Sequence, residues 1–336
     1  MNNCGLTRRE FLLGCVTAGV YALSGVYLLK RRDHRVPQAS TFIAKAAGYE
    51  ADVASVILSG MRELGVTLKE IEDKRILLKP NLVEPRANAV HINTHPMIVR
   101  GAAKAFLTLG AASVVVAEGS GHCRDSLRTL EESGMAEVLQ EDKIPFVDLN
   151  CDEVYAVPNA GHYSRLQTLT FPVTLRKADW IVSMPKLKTH HWAGVTLSMK
   201  NLFGVMPGMY YGWPKNVLHV AGIEPCIVDI TATLRPHFAI VDGVVGMEGD
   251  GPIMGSPRPA GVLVMGRNLA AVDATSARIM ELDPQKVAYL RAASRRLGPL
   301  REENIIQRGE TINSVQTRFA LVDKIPAHKG LRAMSG

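Results

Sequence analysis

The chain has 336 residues, 47% of them hydrophobic, so it can bury the core of one large domain or of two ordinary domains. Its 39 Lys and Arg residues outnumber its 32 Asp and Glu residues, but six of the basic and two of the acidic residues lie in the first 40 positions. The rest of the chain has 33 basic against 30 acidic residues, an excess too small for a nucleic-acid-binding surface. The five cysteines include no C-x-x-C pair, so no iron–sulfur cluster is expected.

Residues 1–36 are predicted to be a targeting segment that lies outside the fold. Residues 7–12, Thr-Arg-Arg-Glu-Phe-Leu, are typical of a twin-arginine export signal. The apolar run over residues 11–29 is about as long as the ~20 residues that span a bilayer. The segment is therefore expected to be a cleaved signal or a membrane anchor, and the twin-arginine export machinery is an expected partner.

The body, residues 37–336, is expected to be exported to the periplasm or to the outer face of the cytoplasmic membrane. The basic stretch over residues 30–35 favours the opposite orientation, because positively charged flanks tend to stay in the cytoplasm. The spacing of the paired arginines from Phe11 and Leu12 is specific enough to favour export.

The first half of the body alternates helical and strand patterns. In chain order, the pattern predicts a helix over 51–64, a strand over 75–79, a helix over 94–109, a strand over 113–117, a helix over 126–140 and a strand over 145–149. Pro96 near the first turn supports the second of these helices. This β-α-β-α-β order predicts a parallel sheet with right-handed crossovers.

The second half of the body is less regular. The predicted elements are an antiparallel insertion at 154–157 and 168–171, a strand over 178–184, a loop-rich stretch over 186–222, a helix over 223–234, a strand over 238–241, a glycine-rich loop over 243–259, a strand over 261–265, and helices over 269–280 and 284–297. The predicted fold class is therefore α/β: a parallel-sheet core with a second lobe, an antiparallel insertion and an N-terminal targeting or anchor helix.

Four unusual loops follow predicted strands, and ligands of open α/β sheets bind beyond the carboxyl ends of strands. The first loop is Lys79-Pro80-Asn81, whose Lys either pairs with an anionic ligand or is solvated. The second covers residues 118–124, where two glycines allow close approach of a ligand and His122 lies before a predicted helix. A tight strand-to-helix turn is the alternative interpretation of the second loop.

The third loop begins with Lys186, Lys188, His190 and His191 directly after a buried strand. These residue types together serve anion binding, proton transfer or metal ligation. Lys200 follows in an apolar setting, where burial would lower its pKa and make it a better nucleophile. A basic surface loop is the alternative.

The fourth loop begins at Asp242 and contains several glycines and two further carboxylates before Pro252. Its carboxylates are suited to holding Mg²⁺ or Ca²⁺ or to binding hydroxyl groups, but the spacing is not that of an EF-hand. Carboxylates that cap glycine turns are at least as good an interpretation.

These loops together resemble the family catalogued as domain of unknown function 362. The resemblance covers most of residues 45–325 and rests on Lys79-Pro80-Asn81, Pro185-Lys186-Leu187-Lys188-Thr189-His190, Lys200-Asn201-Leu202-Phe203-Gly204, Asp242-Gly243 and Gly251-Pro252. Some members carry ferredoxin-type cysteines, which this chain lacks, and the family name implies no activity.

A more distant resemblance is to the nickel-pincer lactate racemases. The segment over 117–124 is similar to their Ala-x-Gly…His-Arg turn, and His190, Ala193-Gly194, Lys200 and Pro207-Gly208 follow in the same order. The resemblance implies that Lys200 tethers a cofactor, that His122 and His190 exchange the substrate proton, and that His219 binds nickel. Two departures are that Leu197-Ser198 replaces the glycine pair of those enzymes and that three extra residues separate Lys200 from Pro207.

The resulting hypothesis is a metal- or cofactor-dependent enzyme that catalyses isomerase-like proton exchange on a small carboxylate or hydroxy acid. The alternative is a non-catalytic anion-binding or accessory subunit tethered at the membrane. The expected catalytic residues are His122, His190 and Lys200, the expected ligand-binding residues are Lys79, Asn81, Lys186, Lys188, Asn201 and Asp242, and the expected ligands of a divalent ion, nickel or another, are His219 and His191.

Overall fold

The computed structural model describes residues 38–86, 88–121 and 125–332 of the chain. Its strands are β1 (Ala39–Lys45), β2 (Arg75–Pro80), β3 (Ser113–Glu118), β4 (Phe146–Asp148), β5 (Val154–Pro158), β6 (Thr168–Pro172), β7 (Trp180–Met184), β8 (Lys186–His190), β9 (Gly194–Thr196), β10 (Phe238–Glu248), β11 (Ser256–Gly266) and β12 (Ile305–Gly309).

Short and medium helices connect these strands. They are α1 (Val53–Glu63), α2 (Leu68–Ile71), α3 (Pro96–Thr108), α4 (Ser126–Glu132), α5 (Met135–Glu141), α6 (Val173–Lys177), α7 (Ser198–Asn201), α8 (Gly208–Tyr211), α9 (Asn216–Ala221), α10 (Ile223–Leu234), α11 (Leu269–Ile279), α12 (Ala288–Ala293) and α13 (Ile312–Val315), with 3₁₀ turns at Leu202–Val205, Glu302–Asn304 and Pro326–His328.

A mixed sheet forms the centre of the described part of the chain, in the order β12-β1-β11-β10-β7-β2-β3-β4. The strands from β10 through β7, β2 and β3 to β4 are parallel, whereas β11 is antiparallel to both β1 and β10. The hairpin of β8 and β9 joins the sheet through the outer half of β10. Strands β5 and β6 form a separate antiparallel sheet. The prediction of a largely parallel α/β core with an antiparallel insertion is thus confirmed.

Apolar side chains alternate between the two faces of this sheet, as the period of a β-strand requires. Leu77 belongs to one buried apolar cluster, whereas its neighbours Ile76 and Leu78 belong to the other. Helices α10 and α11 pack on the first face, and α1 and α3 pack on the second. A sheet covered by helices on both faces leaves its strand ends as the places where polar loops converge.

Two predicted loops are in fact β-structure. The stretch over 186–222 was expected to be loop-rich, but it begins with β8 and β9 and continues in short helices. The predicted loop over 243–259 is reduced to a turn between Glu248 and Ser256, because β10 and β11 pair beyond Gly243. In the first place β8 pairs with β10 and β9, and in the second the hydrogen bonds between β10 and β11 outweigh the weak strand propensity of glycine.

Several predicted boundaries also differ. The helix expected over 126–140 is divided into α4 and α5 at Gly134, whose φ of 74° is left-handed. The helix expected over 284–297 is limited to α12, and the edge strand β12 and its neighbour β1 were not predicted.

Residues Gln38–Gly336 group as one compact unit, and a division of the body into two lobes stays a prediction. The predicted targeting segment over 1–36 lies outside the described residues. Within the part that the structure describes, no helix combines the length and the apolar character needed to cross a bilayer.

Candidate functional site

A cavity of about 180 Å³ lies where the carboxyl ends of β2 and β3 meet the hairpin of β8 and β9 and the helices that follow it. It gathers side chains from sequence positions that are more than 100 residues apart. Its polar and charged lining residues are Lys79, Asn81, Glu118, Lys188, His190, His191, Thr196, Lys200, Asn201, Lys215 and His219. Eight of the residues proposed from the sequence as ligand-binding or catalytic side chains, or as metal ligands, therefore line one cavity: Lys79, Asn81, Lys188, His190, His191, Lys200, Asn201 and His219.

Lys79 and Glu118 form a buried ion pair at the base of the cavity. The Nζ atom of Lys79 lies 2.6 Å from Oε2 of Glu118, and it also donates to Oδ1 of Asn201 at 3.1 Å. Burial lowers the pKa of Lys79, and the Glu118 carboxylate partly offsets this effect. Gly204 leaves room for the pair, because a Cβ atom there would come within 2.6 Å of the Lys79 Nζ. The charge of the Glu118 carboxylate is thus paired with the charge of Lys79.

Lys188 lies on β8, and its amine is hydrogen-bonded to two backbone carbonyl groups. Its Nζ donates to the carbonyl oxygens of Ile92 at 2.9 Å and Pro252 at 3.2 Å. Burial lowers its pKa well below 10.5, and the nearby amines of Lys186 and Lys200 lower it further. An anion in the cavity would favour the charged form of this amine.

Lys200 lies in α7, and the buried carboxylate of Asp273 holds the start of that helix. Asp273 accepts hydrogen bonds from the backbone N–H groups of Ser198 at 2.7 Å and Met199 at 3.0 Å. The Lys200 Nζ lies 4.1 Å from the centre of the Phe203 ring. Burial, with a further contribution from the Lys79 charge, lowers the pKa of Lys200 to about 7. Lys200 is therefore divided between its charged and free-base forms near neutral pH.

Lys215 is a fourth amine in the cavity and was not predicted from the sequence. Its backbone is left-handed, with φ of 69°, and its Nζ donates to Oδ1 of Asn150. Asn150 in turn donates to the backbone carbonyl oxygen of Ser120 at 3.0 Å. Burial lowers the pKa of Lys215 to about 8. No strand precedes Lys215 directly, so the strand-end rule gave no signal for it.

Two of the three imidazoles that line the cavity, those of His190 and His219, have different hydrogen-bond partners. The Nδ1 atom of His190 accepts from the backbone N–H groups of Trp192 at 3.0 Å and Ala193 at 3.3 Å, so Nε2 carries the proton. The Nδ1 atom of His219 lies 3.0 Å from the carbonyl oxygen of Lys215, which can only accept, so Nε2 of His219 has a free lone pair. Burial, followed by the Lys200 charge, lowers the pKa of both imidazoles. The His190 ring is thus a hydrogen-bond donor at Nε2, and the His219 ring is a base at Nε2.

Two buried oxygen atoms of the lining residues lack a partner. Asn81 is 8% exposed and Thr196 is 4% exposed. Oδ1 of Asn81 and Oγ1 of Thr196 have no hydrogen-bond partner among residues 38–86, 88–121 and 125–332. Because an unsatisfied buried polar atom costs about 1–3 kcal/mol, both atoms favour a ligand that hydrogen-bonds to them.

Lys186 and Asp242 were expected in the cleft, but neither lines the cavity. The Lys186 Nζ lies 2.6 Å from Oδ2 of Asp242, and both side chains are fully buried. The hydroxyl of Tyr49 donates to Oδ1 of Asp242, and the backbone N–H of His95 donates to Oδ2. Lys186 and Asp242 are opposite each other in the register of β8 and β10, so each neutralises the charge of the other.

The described residues do not offer a metal site around His191 and His219. The Trp192 ring packs edge-on against both imidazoles, with ring centres 4.6 Å from His191 and 4.9 Å from His219. Nδ1 of His191 lies 3.4 Å from Oδ1 of Asp250. Among residues 38–86, 88–121 and 125–332, no three His, Cys, Asp or Glu side chains lie close enough to hold one metal ion. The prediction that His191 and His219 bind a divalent ion stays a prediction, and His122 lies outside the described residues.

The match to known proteins is clearest at the level of the family. Residues 76–278 match the family described as Domain of unknown function (DUF362), and the chain belongs to this family. The resemblance predicted from the sequence is thus confirmed. One relative, the Thylakoid-associated protein sll1697 of Synechocystis sp., is 29% identical over 231 residues, which cover 67% of this chain and 68% of the relative.

Two solved structures show weaker similarity. The lactate racemase apoprotein from Thermoanaerobacterium thermosaccharolyticum has a TM-score of 0.43 and 13% identity, over 73% of this chain and 58% of that chain. A structural genomics target from Thermotoga maritima has a TM-score of 0.36 and 11% identity, over 71% of this chain and 56% of that chain. The matched region spans less than two thirds of either solved chain, and neither similarity bears on the activity of this protein.

Proposed function

We propose that the protein is an enzyme that binds a small hydroxy carboxylate in this cavity and transfers a proton at the carbon next to the carboxylate. The observation that carries the proposal is Lys200, an amine with a pKa of about 7 that lines the cavity beside two imidazoles. A general base is most effective when its pKa lies near the working pH.

The excess of amines supports a carboxylate as the ligand. With Glu118 paired to Lys79, the amines of Lys188, Lys200 and Lys215 have no carboxylate partner within the described part of the chain. An ammonium group has three N–H donors, of which Lys188 uses two and Lys215 uses one. The remaining donors are available to an anion, and charge-assisted hydrogen bonds of this kind are strong.

The two unsatisfied oxygens support a hydroxyl group on the same ligand. Oδ1 of Asn81 needs a donor, and Oγ1 of Thr196 is able to donate or accept. A hydroxyl group supplies both roles, whereas a simple carboxylate has no hydrogen to donate to Asn81. A hydroxy acid therefore satisfies the amines and the two oxygens together.

Proton transfer uses the different states of the cavity bases. The free-base amine of Lys200, or Nε2 of His219, takes the proton from the substrate carbon. The negative charge then spreads onto the carboxylate, where the Lys188 and Lys215 amines stabilise it. The Nε2–H of His190 returns a proton to the carbon. The net result is exchange of the proton with solvent, and inversion where the two groups act from opposite faces.

Hydrogen–deuterium exchange tests the proposal. A panel of 2-hydroxy acids is incubated with the protein in D₂O, and loss of the signal of the proton next to the carboxylate is followed by NMR. We expect exchange with the wild type and a loss of about 10²–10⁴-fold in Lys200→Ala. Lys69→Ala, which changes an exposed Lys, is the control and should exchange as the wild type does.

A thermal unfolding screen with the same acids separates the two candidate functions. A bound acid at a hundredfold excess over its Kd stabilises the fold by about 2.7 kcal/mol. Stabilisation without exchange would favour the non-catalytic anion-binding subunit instead. If no acid of the panel gives either stabilisation or exchange, the proposal is overturned.

A further inference from the structure

We infer that the substrate is an amphiphile, a carboxylate that carries an apolar and preferably aromatic body, rather than a three-carbon acid. The inference rests on the proposed binding of a carboxylate by the cavity amines. It concerns the part of the ligand that those amines do not hold.

The first observation is the size of the cavity. One water molecule needs roughly 10–15 Å³ of a cavity measured in this way. A cavity of about 180 Å³ is more than ten times this minimum, so it has room for an organic ligand of several non-hydrogen atoms.

The second observation is the chemistry of the remaining wall. Beside the amines, imidazoles and amides, the lining includes the apolar side chains of Leu82, Trp192, Phe203, Pro214 and Ile253. Sites for small organic ligands are mostly apolar, with a few polar groups that fix the orientation. Here the amines fix one end of the ligand, and these apolar side chains are left to contact its body.

The third observation is the position of Trp192. This side chain lines the cavity yet is 54% exposed. Its ring is held edge-on by His191 and His219, so it keeps one orientation while part of its surface stays in water. Covering that surface with a ligand ring gains the energy of apolar burial and of an aromatic contact. Trp192 is thus a binding residue for the body of the ligand.

A titration series of three carboxylates and one uncharged analogue tests this inference. The ligands are acetate, hexanoate, 3-phenylpropanoate and the uncharged 3-phenylpropanol, and the affinity is measured by calorimetry. We expect affinity to rise about fourfold for each buried methylene, with 3-phenylpropanoate at least 30-fold tighter than acetate. The uncharged alcohol should bind at least tenfold more weakly than 3-phenylpropanoate, because it lacks the group that the amines hold.

Two variants locate the apolar contact. Trp192→Ala should weaken 3-phenylpropanoate about tenfold and leave acetate within twofold, and Trp192→Phe should restore most of the loss. Tyr210→Ala changes an aromatic residue that is 59% exposed but does not line the cavity, so it should leave all four affinities unchanged.

The possible failures are distinguishable. Equal affinity for acetate, hexanoate and 3-phenylpropanoate would overturn the amphiphile while leaving the proposed function in place. Unchanged binding of 3-phenylpropanoate by Trp192→Ala would also overturn it. If none of these carboxylates binds, the amphiphile is overturned, and the proposed function fails with it when the 2-hydroxy acids also give neither stabilisation nor exchange.

Discussion

The amine of Lys79 and the carboxylate of Glu118 lie 2.6 Å apart, and neither side chain is more than 2% exposed. Such a pair contributes little net stability when intact, but removing one partner leaves an uncompensated charge in the interior. We therefore expect Lys79→Met to lower the free energy of unfolding by about 3–5 kcal/mol, as measured by urea denaturation.

The control for this prediction is Asp179→Ala, which breaks the solvent-exposed pair with Arg75 at 2.9 Å and should cost about 0–1 kcal/mol. The double variant Lys79→Met, Glu118→Gln removes both charges and should recover part of the loss. A cost below about 1 kcal/mol for Lys79→Met would contradict the buried ion pair.

Lys200 should make the stability of the protein depend on pH in alkaline solution. Its pKa is about 7 in the folded protein and 10.5 as the ordinary value. Between these values the unfolded chain binds more protons, so stability rises with pH from about 7 to about 10.5 and is lowest below 7. Relative to Lys200→Met, the wild type should gain up to about 1.4 kcal/mol per pH unit in this window.

The measurement is urea denaturation of both proteins at a series of pH values. The variant with the exposed substitution Lys69→Met should follow the wild type throughout. Parallel stability curves for the wild type and Lys200→Met would show that the Lys200 amine is not shifted.

Lys186 and Lys188 should have separate effects on stability and on ligand binding. Lys186→Met leaves the buried Asp242 carboxylate without its counter-charge, so it should destabilise the fold by about 3–5 kcal/mol. It should leave the affinity for a carboxylate within twofold, because Lys186 does not line the cavity. Lys188→Met should weaken that affinity about tenfold or more, the value of a charge-assisted hydrogen bond.

Both affinities are measured by calorimetry at a temperature where both variants are folded. A strong loss of affinity in Lys186→Met, with none in Lys188→Met, would reverse the assignment of the two lysines.

Replacing Arg8 and Arg9 with Lys should keep the protein in the cytoplasm. The paired arginines before an apolar run are the signal that the twin-arginine machinery recognises, and Lys preserves the charge without the guanidinium groups. Cell fractionation followed by immunoblotting gives the location of the wild type and of the variant. An unchanged distribution would favour a plain membrane anchor.

Much of the cavity follows from one rule that is visible in the sequence. Lys79 lies at the carboxyl end of β2 and Asn81 follows it, and Lys188 and His190 follow β7, so the convergence of strand ends was enough to bring them together. Lys200 was singled out by its apolar neighbours, and the same burial lowers its pKa in the structure.

The other site residues depend on strand register, which a single sequence does not reveal. Lys186 and Lys188 lie two residues apart and were expected to act alike, but Asp242 stands opposite Lys186 in β10. The register then shifts before Met247, which is opposite Lys188, so the second amine has no carboxylate across from it. Lys215 and Thr196 reach the cavity through the turn before α9 and through β9, neither of which has a strong sequence signature.

The place of β1 in the sheet has a consequence for how the protein is made. In the described part of the chain this strand pairs with β11 and β12, so Thr41 has its partners at Gly266 and Gln307, more than 200 residues further along the chain. A growing polypeptide thus carries β1 as an unpaired edge until almost all of the chain has left the ribosome. Contacts of such long sequence separation slow folding and expose strand edges to aggregation. In the folded sheet β11 and β12 flank β1 on its two sides, so the pairing of β1 is complete only after both have been synthesised.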